Sequence, residues 1–248
     1  MPDTIQPTTP PPRIKPGAHG FFLDLDGTLA PIVEDPQDTR LPERTRNLLT
    51  RLVAEVGGAV AVLSGRALAD LDRIMGALRL PASGSHGQEL RFGPHAAHPD
   101  AEAEGVPAAI IDRVEEFAVL HGVTSERKPG AIALHYRKTP DQAEACRGFV
   151  DTLTAEEPGL RALHGKMVSE VALAGIDKGG ALERLADTVD FQGRIPIMVG
   201  DDVTDEDGFR AAQARGGFGI KIGAGPSAAH YRLEDVEAFA DWLEEILR

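Results

Sequence analysis

The chain of 248 residues has a single cysteine, Cys146, and its apolar runs are far shorter than a membrane span. One cysteine excludes an internal disulfide and a zinc site made of several cysteines, and it fits a reducing cytoplasm. A membrane helix needs about 20 consecutive apolar residues, so we expect no membrane partner. Positive charge is also scarce: 26 basic residues face 39 acidic ones, and the formal net charge is −13. This balance argues against nucleic acid as a partner.

The N-terminal segment, residues 1–17, also lacks an apolar stretch, and six of its residues are prolines. A secretory signal peptide contains a continuous apolar region, so this segment is not expected to be one. Its composition is typical of chains without a packed core. We therefore predict a disordered tail over residues 1–17.

The most informative stretch is residues 21–28, with the sequence FFLDLDGT. An apolar run that stops at Gly27 indicates a buried strand followed by a tight turn. Because strand residues alternate between faces, Asp24 and Asp26 can point the same way, roughly 6.6 Å apart. Two such carboxylates repel each other unless a cation or a shared proton relieves the repulsion. Gly27 would let the chain turn and leave backbone N–H groups facing an anion.

Strands and helices alternate in the first and last parts of the chain. The predicted elements there are strands at 20–24, 58–63, 195–199 and 217–222 and helices at 45–55, 68–78, 206–214 and 233–247. Apolar residues at the spacing of each element support these assignments. This order is typical of a mostly parallel sheet covered by helices.

The middle of the chain follows a different pattern. Residues 93–107 are rich in proline, alanine and charge and are interpreted as a linker. The elements predicted after it are helices at 107–120 and 140–153 and strands at 131–137 and 166–173. Alternating strands of this kind indicate a small α+β insert with one exposed sheet face. We therefore predict an α/β fold, with a Rossmann-like parallel-sheet core over 18–100 and 174–248 and an α+β cap over 101–173.

Four polar segments follow strands of the predicted core or lie on the helix beside them. They are Asp24-Leu25-Asp26, Ser64-Gly65-Arg66, Lys178 and residues 200–205, GDDVTD. Ligands of a parallel α/β sheet bind beyond the carboxyl ends of its strands, so these segments should meet. Oxygen ligands without a cysteine or histidine cluster favour Mg²⁺ over zinc. Taken singly, the acidic residues and Ser64 could be turn or helix caps, and Arg66 and Lys178 could be surface residues.

Together the four segments resemble the motifs of the haloacid dehalogenase (HAD) phosphohydrolases, in the same order along the chain. The resemblance implies that Asp24 is the nucleophile that accepts the phosphoryl group. Asp26 would be the general acid for the leaving alkoxide and then the base for water, so it should begin protonated. Ser64 and Lys178 would bind phosphoryl oxygens. A phosphoryl transfer needs this kind of positioning and charge compensation, and a covalent intermediate divides it into two easier steps.

The same resemblance implies a Mg²⁺ cofactor. Its ligands would be the Asp24 carboxylate, the backbone carbonyl of Asp26 and the Asp201 carboxylate. Either Asp202 or Asp205 would support them, and the sequence leaves that choice open. Asp205 could also cap the helix that follows, and the two roles can coexist.

The insert lies between the Ser64 and Lys178 segments, where a lid could close and exclude water. That placement resembles the type-2 capped HAD enzymes, which act mostly on sugar phosphates. A narrower resemblance, to the trehalose-6-phosphate phosphatases, rests on LDLDGTLAPIVEDP, VLSGR, SGSHGQE, ERKPGAIALHYR, GKMVSEV, DKG and GDDVTDEDGF. The residues that it assigns to the sugar phosphate are Arg66, His86, Glu89, Glu126, Lys128, Arg137, Lys166 and Glu170. Charged side chains suit this role because they make strong hydrogen bonds to hydroxyl groups.

The function expected from this resemblance is hydrolysis of trehalose 6-phosphate, with coupling to the synthase that supplies the sugar phosphate. The same chemistry on sucrose 6-phosphate or a mannosyl-3-phosphoglycerate is the close alternative. A phosphotransferase or mutase would pass the phosphoryl group to a sugar instead of water. A non-catalytic sensor is disfavoured by Asp26, because a phosphoryl acceptor alone needs no acid for a leaving group.

Overall fold

The computed structural model describes residues 9–93, 105–128, 130–165 and 167–248, apart from the side chains of Pro36 and Lys128. The chain divides into two compact units. One contains Met1–Asp100 and Asp177–Arg248, and the other contains Ala101–Ile176. The second unit begins where the sequence predicts the insert to begin and ends three residues later than the predicted end, residue 173.

Strands and helices alternate in the first unit and are mixed in the second. The strands are β1 (His19–Leu23), β2 (Val60–Leu63), β3 (Ala82–Gly84), β4 (Glu89–Arg91), β5 (Thr124–Lys128), β6 (Ala131–His135), β7 (Leu160–Gly165), β8 (Val168–Leu173), β9 (Ile195–Gly200), β10 (Phe218–Ile222) and β11 (Tyr231–Leu233). The α-helices are α1 (Glu43–Glu55), α2 (Leu68–Met75), α3 (Ala108–His121), α4 (Ala143–Glu156), α5 (Lys178–Ala186), α6 (Glu206–Ala214) and α7 (Val236–Ile246). Within these described ranges, no helix has both the length and the apolar composition needed to cross a membrane.

The sheet of the first unit has the order β11-β10-β9-β1-β2-β3-β4. Its strands run parallel, except that β4 pairs antiparallel with β3. β1 lies in the middle, and Phe21, Phe22 and Leu23 are almost completely buried. A strand with apolar residues in succession fits a sheet that helices cover on both faces. The prediction of a parallel-sheet α/β core is therefore confirmed.

The parallel arrangement decides where the polar segments lie. β1 pairs with β2 on one side and with β9 on the other, all in the same direction. Their carboxyl ends therefore lie at one edge of the sheet. Asp24 follows β1, Ser64 follows β2 and Asp201 follows β9 directly. Residues far apart in the sequence are thus brought to one edge by strand pairing alone.

The second unit has an antiparallel sheet in the order β5-β6-β8-β7. One face carries apolar residues such as Ile132, Leu134 and Val171, which belong to one buried cluster with residues of α3 and α4. The sequence predicts β6 and β8 but misses β5 and β7. Those two strands, TSERK and LRALHG, do not alternate strictly between apolar and polar residues. Their pairing partners, more than their own composition, make them strands.

The predicted disordered tail is wrong for residues 9–17. Pro11 and Pro16 are buried. The carbonyl of Thr9 accepts a hydrogen bond from the backbone N–H of Arg232, and the carbonyl of Pro12 accepts one from the indole N–H of Trp242. Proline lacks a donor but keeps its carbonyl, so a proline-rich segment can dock by accepting hydrogen bonds. The remainder of the prediction, residues 1–8, lies outside the described residues.

Candidate active site

Three carboxylates and one ammonium group lie together at the carboxyl edge of the core sheet. Oxygen atoms of Asp24, Asp201 and Asp205 lie within 4.8 Å of one another. Asp205 ends a single turn of 3-10 helix, Val203–Asp205, just after β9. Lys178 is the first residue of α5, where the side chain of Asp177 caps the helix by accepting a hydrogen bond from Gly180 N. Two strand ends, one helix start and one turn of 3-10 helix thus supply the members of the cluster.

Lys178 bridges two of the carboxylates. Its Nζ lies 2.7 Å from Asp24 Oδ1 and 2.6 Å from Asp205 Oδ1. Only 3% of Lys178 is exposed, and the Asp24 and Asp205 side chains are 6% and 0% exposed. Burial opposes the charge on Lys178, but the two carboxylates outweigh it and raise the pKa of Lys178. The ammonium group is therefore a fixed positive charge at the centre of the cluster.

The ionised form of Asp24 is disfavoured in this cluster. Burial raises the pKa of Asp24 to about 8, and Lys178 only partly offsets this, while Asp205 and Asp201 add to it. Burial and Asp205 also raise the pKa of Asp201. A second positive charge near these groups would stabilise their ionised forms. The one ammonium group of the cluster therefore does not neutralise the negative charge that three ionised carboxylates would carry.

The backbone around the cluster is shaped to leave room for the carboxylates. A Cβ atom on Gly27 would lie 2.1 Å from Asp201 Oδ2, and one on Gly200 would lie 2.1 Å from Asp205 Cγ. Glycine is therefore required at both positions for Asp201 and Asp205 to enter the cluster. Three converging carboxylates with oxygen donors only, in such a cradle, fit a hard divalent cation. Asp24, Asp201 and Asp205 are the residues that could hold it.

A Gly27→Ala substitution should test this cradle. The new Cβ would collide with Asp201, and the φ of +79° at Gly27 is itself unfavourable for alanine. We expect affinity for divalent cations to fall by at least about 10-fold. Isothermal titration with Mg²⁺ measures it. The matched control is Gly216→Ala, because Gly216 has a φ of +80° but no atoms near its Cβ position. Equal losses of affinity in both variants would contradict the claim that Gly27 makes room for the Asp201 carboxylate.

Asp26 is not a member of this cluster. Its Oδ2 accepts a hydrogen bond from Arg66 Nε at 2.6 Å, and its Oδ1 accepts one from Arg66 Nη2 at 2.8 Å. Arg66 is held in turn by Asp70 Oδ2 at 2.7 Å and by the hydroxyl of Thr39 at 2.8 Å. A paired guanidinium group binds the ionised form of a carboxylate. Arg66 is thus the partner of the Asp26 carboxylate in the structure, and the expectation that Asp26 begins protonated stays a prediction.

Ser64 and Asp202 have local roles in the structure. The backbone N–H of Arg66 donates to Ser64 Oγ at 3.1 Å, and Ser64 is 2% exposed. The side chain of Asp202 accepts from Val203 N, and Asp205 Oδ2 accepts from Asp202 N. The sequence leaves open whether Asp202 or Asp205 supports the metal. In the structure Asp205 lies in the acidic cluster, whereas Asp202 caps the short helix.

His86 and Glu89 follow β3: His86 lies in the turn between β3 and β4, and Glu89 is the first residue of β4. The imidazole of His86 leaves no space for a side chain at Gly65, where a Cβ would lie 2.4 Å from Cε1. Glu89 Oε2 accepts hydrogen bonds from the Ser85 hydroxyl at 2.7 Å and from the backbone N–H of Leu68 at 3.1 Å. Glu89 therefore binds the start of α2. This structural role was not apparent from the sequence.

Two of the cap residues that are predicted to bind sugar, Glu126 and Glu170, lie on the same face of the cap sheet. Register places Glu126 opposite Ala133 and Ala133 opposite Glu170, so all three lie on the same face. Glu126 Oε2 lies 2.7 Å from His135 Nε2. Arg137 follows β6 and is exposed. The side chain of Lys128 and the whole of Lys166 lie outside the described residues.

Three residues near the site were missed by the sequence analysis. Thr39 and Asp70 hold Arg66, and nothing in their sequence context marks them. Lys221 is the fourth of the five residues of the otherwise apolar strand β10 and is 6% exposed. A lysine inside an apolar strand is a signal, because a buried charge is unfavourable unless it is used.

A Rossmann-like core sheet with an α+β insert is a fold that this chain shares with solved HAD phosphatases. A HAD phosphatase from Bacteroides thetaiotaomicron superposes with a TM-score of 0.67, covering 95% of this chain and 96% of that chain, at 17% identity. At this identity the match shows the shared fold alone.

The family is identified by two further comparisons. The family model described as trehalose-phosphatase matches residues 22–237. The trehalose-6-phosphate phosphatase of Escherichia coli (strain K12) is 34% identical over 245 residues, covering 97% of this chain and 91% of that protein. The chain therefore belongs to the trehalose-phosphatase family, and it is a phosphoric monoester hydrolase. An Aspergillus fumigatus trehalose-6-phosphate phosphatase structure has a TM-score of 0.80 at 28% identity, covering 97% of this chain and 98% of that chain.

Proposed function

We propose that this protein hydrolyses trehalose 6-phosphate to trehalose and phosphate, with Mg²⁺ as cofactor and an aspartyl phosphate as intermediate. The observation that carries the proposal is the cluster of Asp24, Asp201 and Asp205 around Lys178, in a chain of this family. A buried carboxylate next to a fixed cation, with room for a second cation, is equipped to receive a phosphoryl group. The single buried cysteine, Cys146, suits a cytoplasmic location, which is part of the proposal.

Asp24 would act in two steps. In the first, an oxygen of Asp24 forms a bond to phosphorus, and the bond from phosphorus to the sugar oxygen breaks. In the second, water attacks the phosphorus and releases phosphate from Asp24. Lys178 would hold the ionised Asp24 in place. Bound Mg²⁺ would compensate negative charge on the phosphoryl oxygens.

Asp26 would move the protons of both steps. It would donate a proton to the leaving sugar oxygen and then accept one from water. The ion pair with Arg66 corresponds to the ionised form, which is the form that accepts a proton from water. For the first step Asp26 must carry a proton, so its contact with Arg66 must loosen when substrate binds. Arg66 would thus pair with Asp26 before substrate binds and contact the substrate afterwards.

The cap would supply specificity. Glu126 and Glu170, on one sheet face, offer acceptors for sugar hydroxyl groups. His135 beside Glu126 would orient that carboxylate. Lys128, Arg137 and Lys166 stay predicted substrate residues on the family resemblance. Functional coupling to a synthase likewise stays a prediction.

A panel of sugar phosphates tests the substrate. Phosphate release from trehalose 6-phosphate, sucrose 6-phosphate, a mannosyl-3-phosphoglycerate and glucose 6-phosphate is measured with Mg²⁺ and with EDTA. We expect release from trehalose 6-phosphate to dominate and to disappear with EDTA. Equal rates on all substrates would contradict a disaccharide-specific cap. A phosphorylated sugar product in place of free phosphate would identify a phosphotransferase instead.

The affinity for Mg²⁺ should depend on pH. The pKa of Asp24 in the folded protein, about 8, lies above its ordinary value of 3.8, so Asp24 is protonated below pH 8 without a metal. Mg²⁺ must displace that proton, and its apparent dissociation constant should rise by about 10-fold for each pH unit below 8. Above pH 8 the constant should level off. Titration calorimetry between pH 6 and pH 9 measures it, and a constant affinity across this range would contradict the prediction.

The same shift has a consequence for stability. Without Mg²⁺, the folded protein binds a proton at Asp24 that the unfolded chain has released above pH 4. The contribution of Asp24 to the free energy of unfolding should therefore fall as pH rises toward 8. Mg²⁺ should raise the melting temperature more at pH 8.5 than at pH 6, because at the lower pH it competes with the proton.

A further inference from the structure

Lys221 is a buried charge that the proposed chemistry does not use. It lies in β10 between Ile220 and Ile222, both of which are also buried. Removing an ammonium group from water is costly unless polar partners compensate it. A lysine in this strand therefore needs a role that an apolar residue cannot fill.

The register of the sheet places Lys221 beside the acidic cluster. Lys221 pairs with Gly200, the last residue of β9, so its side chain starts next to the turn that carries Asp201. Its Nζ donates a hydrogen bond to the backbone carbonyl of Asp201. Lys221 thus contacts the backbone of one member of the cluster, whereas Lys178 contacts the carboxylates of the other two.

The turn after β9 leaves little freedom for Asp201. Gly200 has the Asp205 side chain directly against it, and the Asp201 carboxylate lies against Gly27. Small rotations of the Asp201 peptide would move its carboxylate away from Gly27 and out of the acidic cluster. A hydrogen bond from a buried ammonium group to this carbonyl opposes such rotations.

We propose that Lys221 is a positioning residue, which fixes the Asp201 backbone so that the Asp201 carboxylate is held ready for the divalent cation. The inference rests on the proposed function, because it concerns the affinity for Mg²⁺. Groups that orient metal ligands from outside the coordination sphere commonly change metal affinity by about 10- to 100-fold.

A purely electrostatic role predicts the opposite sign. The positive charge of Lys221 repels a divalent cation, so at a pH at which Asp201 is already ionised its removal alone would strengthen Mg²⁺ binding. Loss of a backbone contact, in contrast, would weaken it. The direction of the change therefore separates the two roles. A role confined to folding would leave the affinity of the folded protein unchanged.

The experiment compares Lys221→Met with Lys221→Arg and with a matched control, Lys15→Met, which removes the same charge from an exposed position. Mg²⁺ affinity is measured by titration calorimetry on the full chain at pH 8.5, and folding is checked by circular dichroism. We expect at least about 10-fold weaker binding in Lys221→Met. Lys221→Arg, which keeps a charged donor, should recover much of the loss, and Lys15→Met should match the unaltered protein.

Steady-state kinetics give a second readout. At saturating Mg²⁺ the Lys221→Met enzyme should regain most of its kcat, because the substitution weakens the site without removing a reacting group. Unchanged or tighter Mg²⁺ binding in folded Lys221→Met would overturn the proposal, as would an arginine variant as weak as the methionine variant. If Lys221→Met does not fold, Lys221→Gln takes its place in the same comparison.

The two proposals fail in different ways. If the unaltered protein binds no Mg²⁺ and releases no phosphate from any sugar phosphate, the proposed function is wrong. If the unaltered protein binds Mg²⁺ and releases phosphate, but Lys221→Met binds Mg²⁺ equally well, only the role of Lys221 is wrong.

Discussion

An Asp24→Asn variant is expected to lose phosphate release by at least about 10⁴-fold while it keeps its fold and still binds the sugar phosphate. The amide of asparagine is not nucleophilic and cannot form the acyl phosphate. Asp24 is buried, and burial already disfavours its charge. A neutral side chain of the same shape is therefore tolerated, and Lys178 keeps Asp205 as a partner. Loss of the reaction should thus occur without loss of structure.

Initial rates of phosphate release, thermal unfolding and calorimetric binding of trehalose 6-phosphate check the three parts of this prediction. The matched control is Asp202→Asn, which makes the same aspartate-to-asparagine change at a residue of the turn after β9. Asp202 caps the short helix, and asparagine caps helices about as well as aspartate. The control should therefore stay within about 10-fold of the unaltered rate. Phosphate release by Asp24→Asn well above background would contradict the proposed covalent step at Asp24.

Acid quenching offers a direct view of the same step. During turnover, the unaltered enzyme should carry a phosphoryl group on Asp24, which mass spectrometry of a peptide digest can locate. The Asp24→Asn variant should carry none. A phosphoryl group on another residue would contradict the assignment of the nucleophile even if the variant is inactive.

The elements that place the acidic cluster could be predicted because each of them is local. Two apolar runs, one ending just before Asp24 and one ending just before the GDDVTD segment, are visible in the sequence. Parallel strands then bring their carboxyl ends together by rule. What remained open within the cluster, the choice between Asp202 and Asp205, depends on how a single turn of helix folds.

The partner of Asp26 could not be predicted in the same way. Arg66 reaches it from the β2 end, and Asp70 and Thr39 hold Arg66 from α2 and from a loop. Such a network depends on side-chain directions across three segments, which periodicity does not encode. The strands β5 and β7 were missed for a related reason, because partners and not composition make them strands.

A Lys178→Met variant is expected to be strongly destabilised and inactive. Removing the ammonium group leaves Asp24 and Asp205 buried without their shared cation. Breaking a buried ion pair on one side commonly costs about 3–5 kcal/mol. Phosphate release should fall by at least about 10²–10³-fold, because a fixed charge at the reacting group is lost. Thermal unfolding without Mg²⁺ and initial rates with Mg²⁺ measure the two effects.

Instability alone could explain an inactive Lys178→Met protein, so the decisive variant is the double substitution Lys178→Met with Asp205→Asn. It removes the ammonium group together with one of the carboxylates that the ammonium group neutralises. Much of the lost stability should return, whereas activity should not, because Asp24 still lacks its cation. Recovery of both stability and phosphate release would show that Lys178 only compensates Asp205. Because Asp205 is also one of the residues that could hold the metal, the reference is Asp205→Asn alone. Recovery of stability in the double variant, with phosphate release well below that of Asp205→Asn, would assign Lys178 to the reaction.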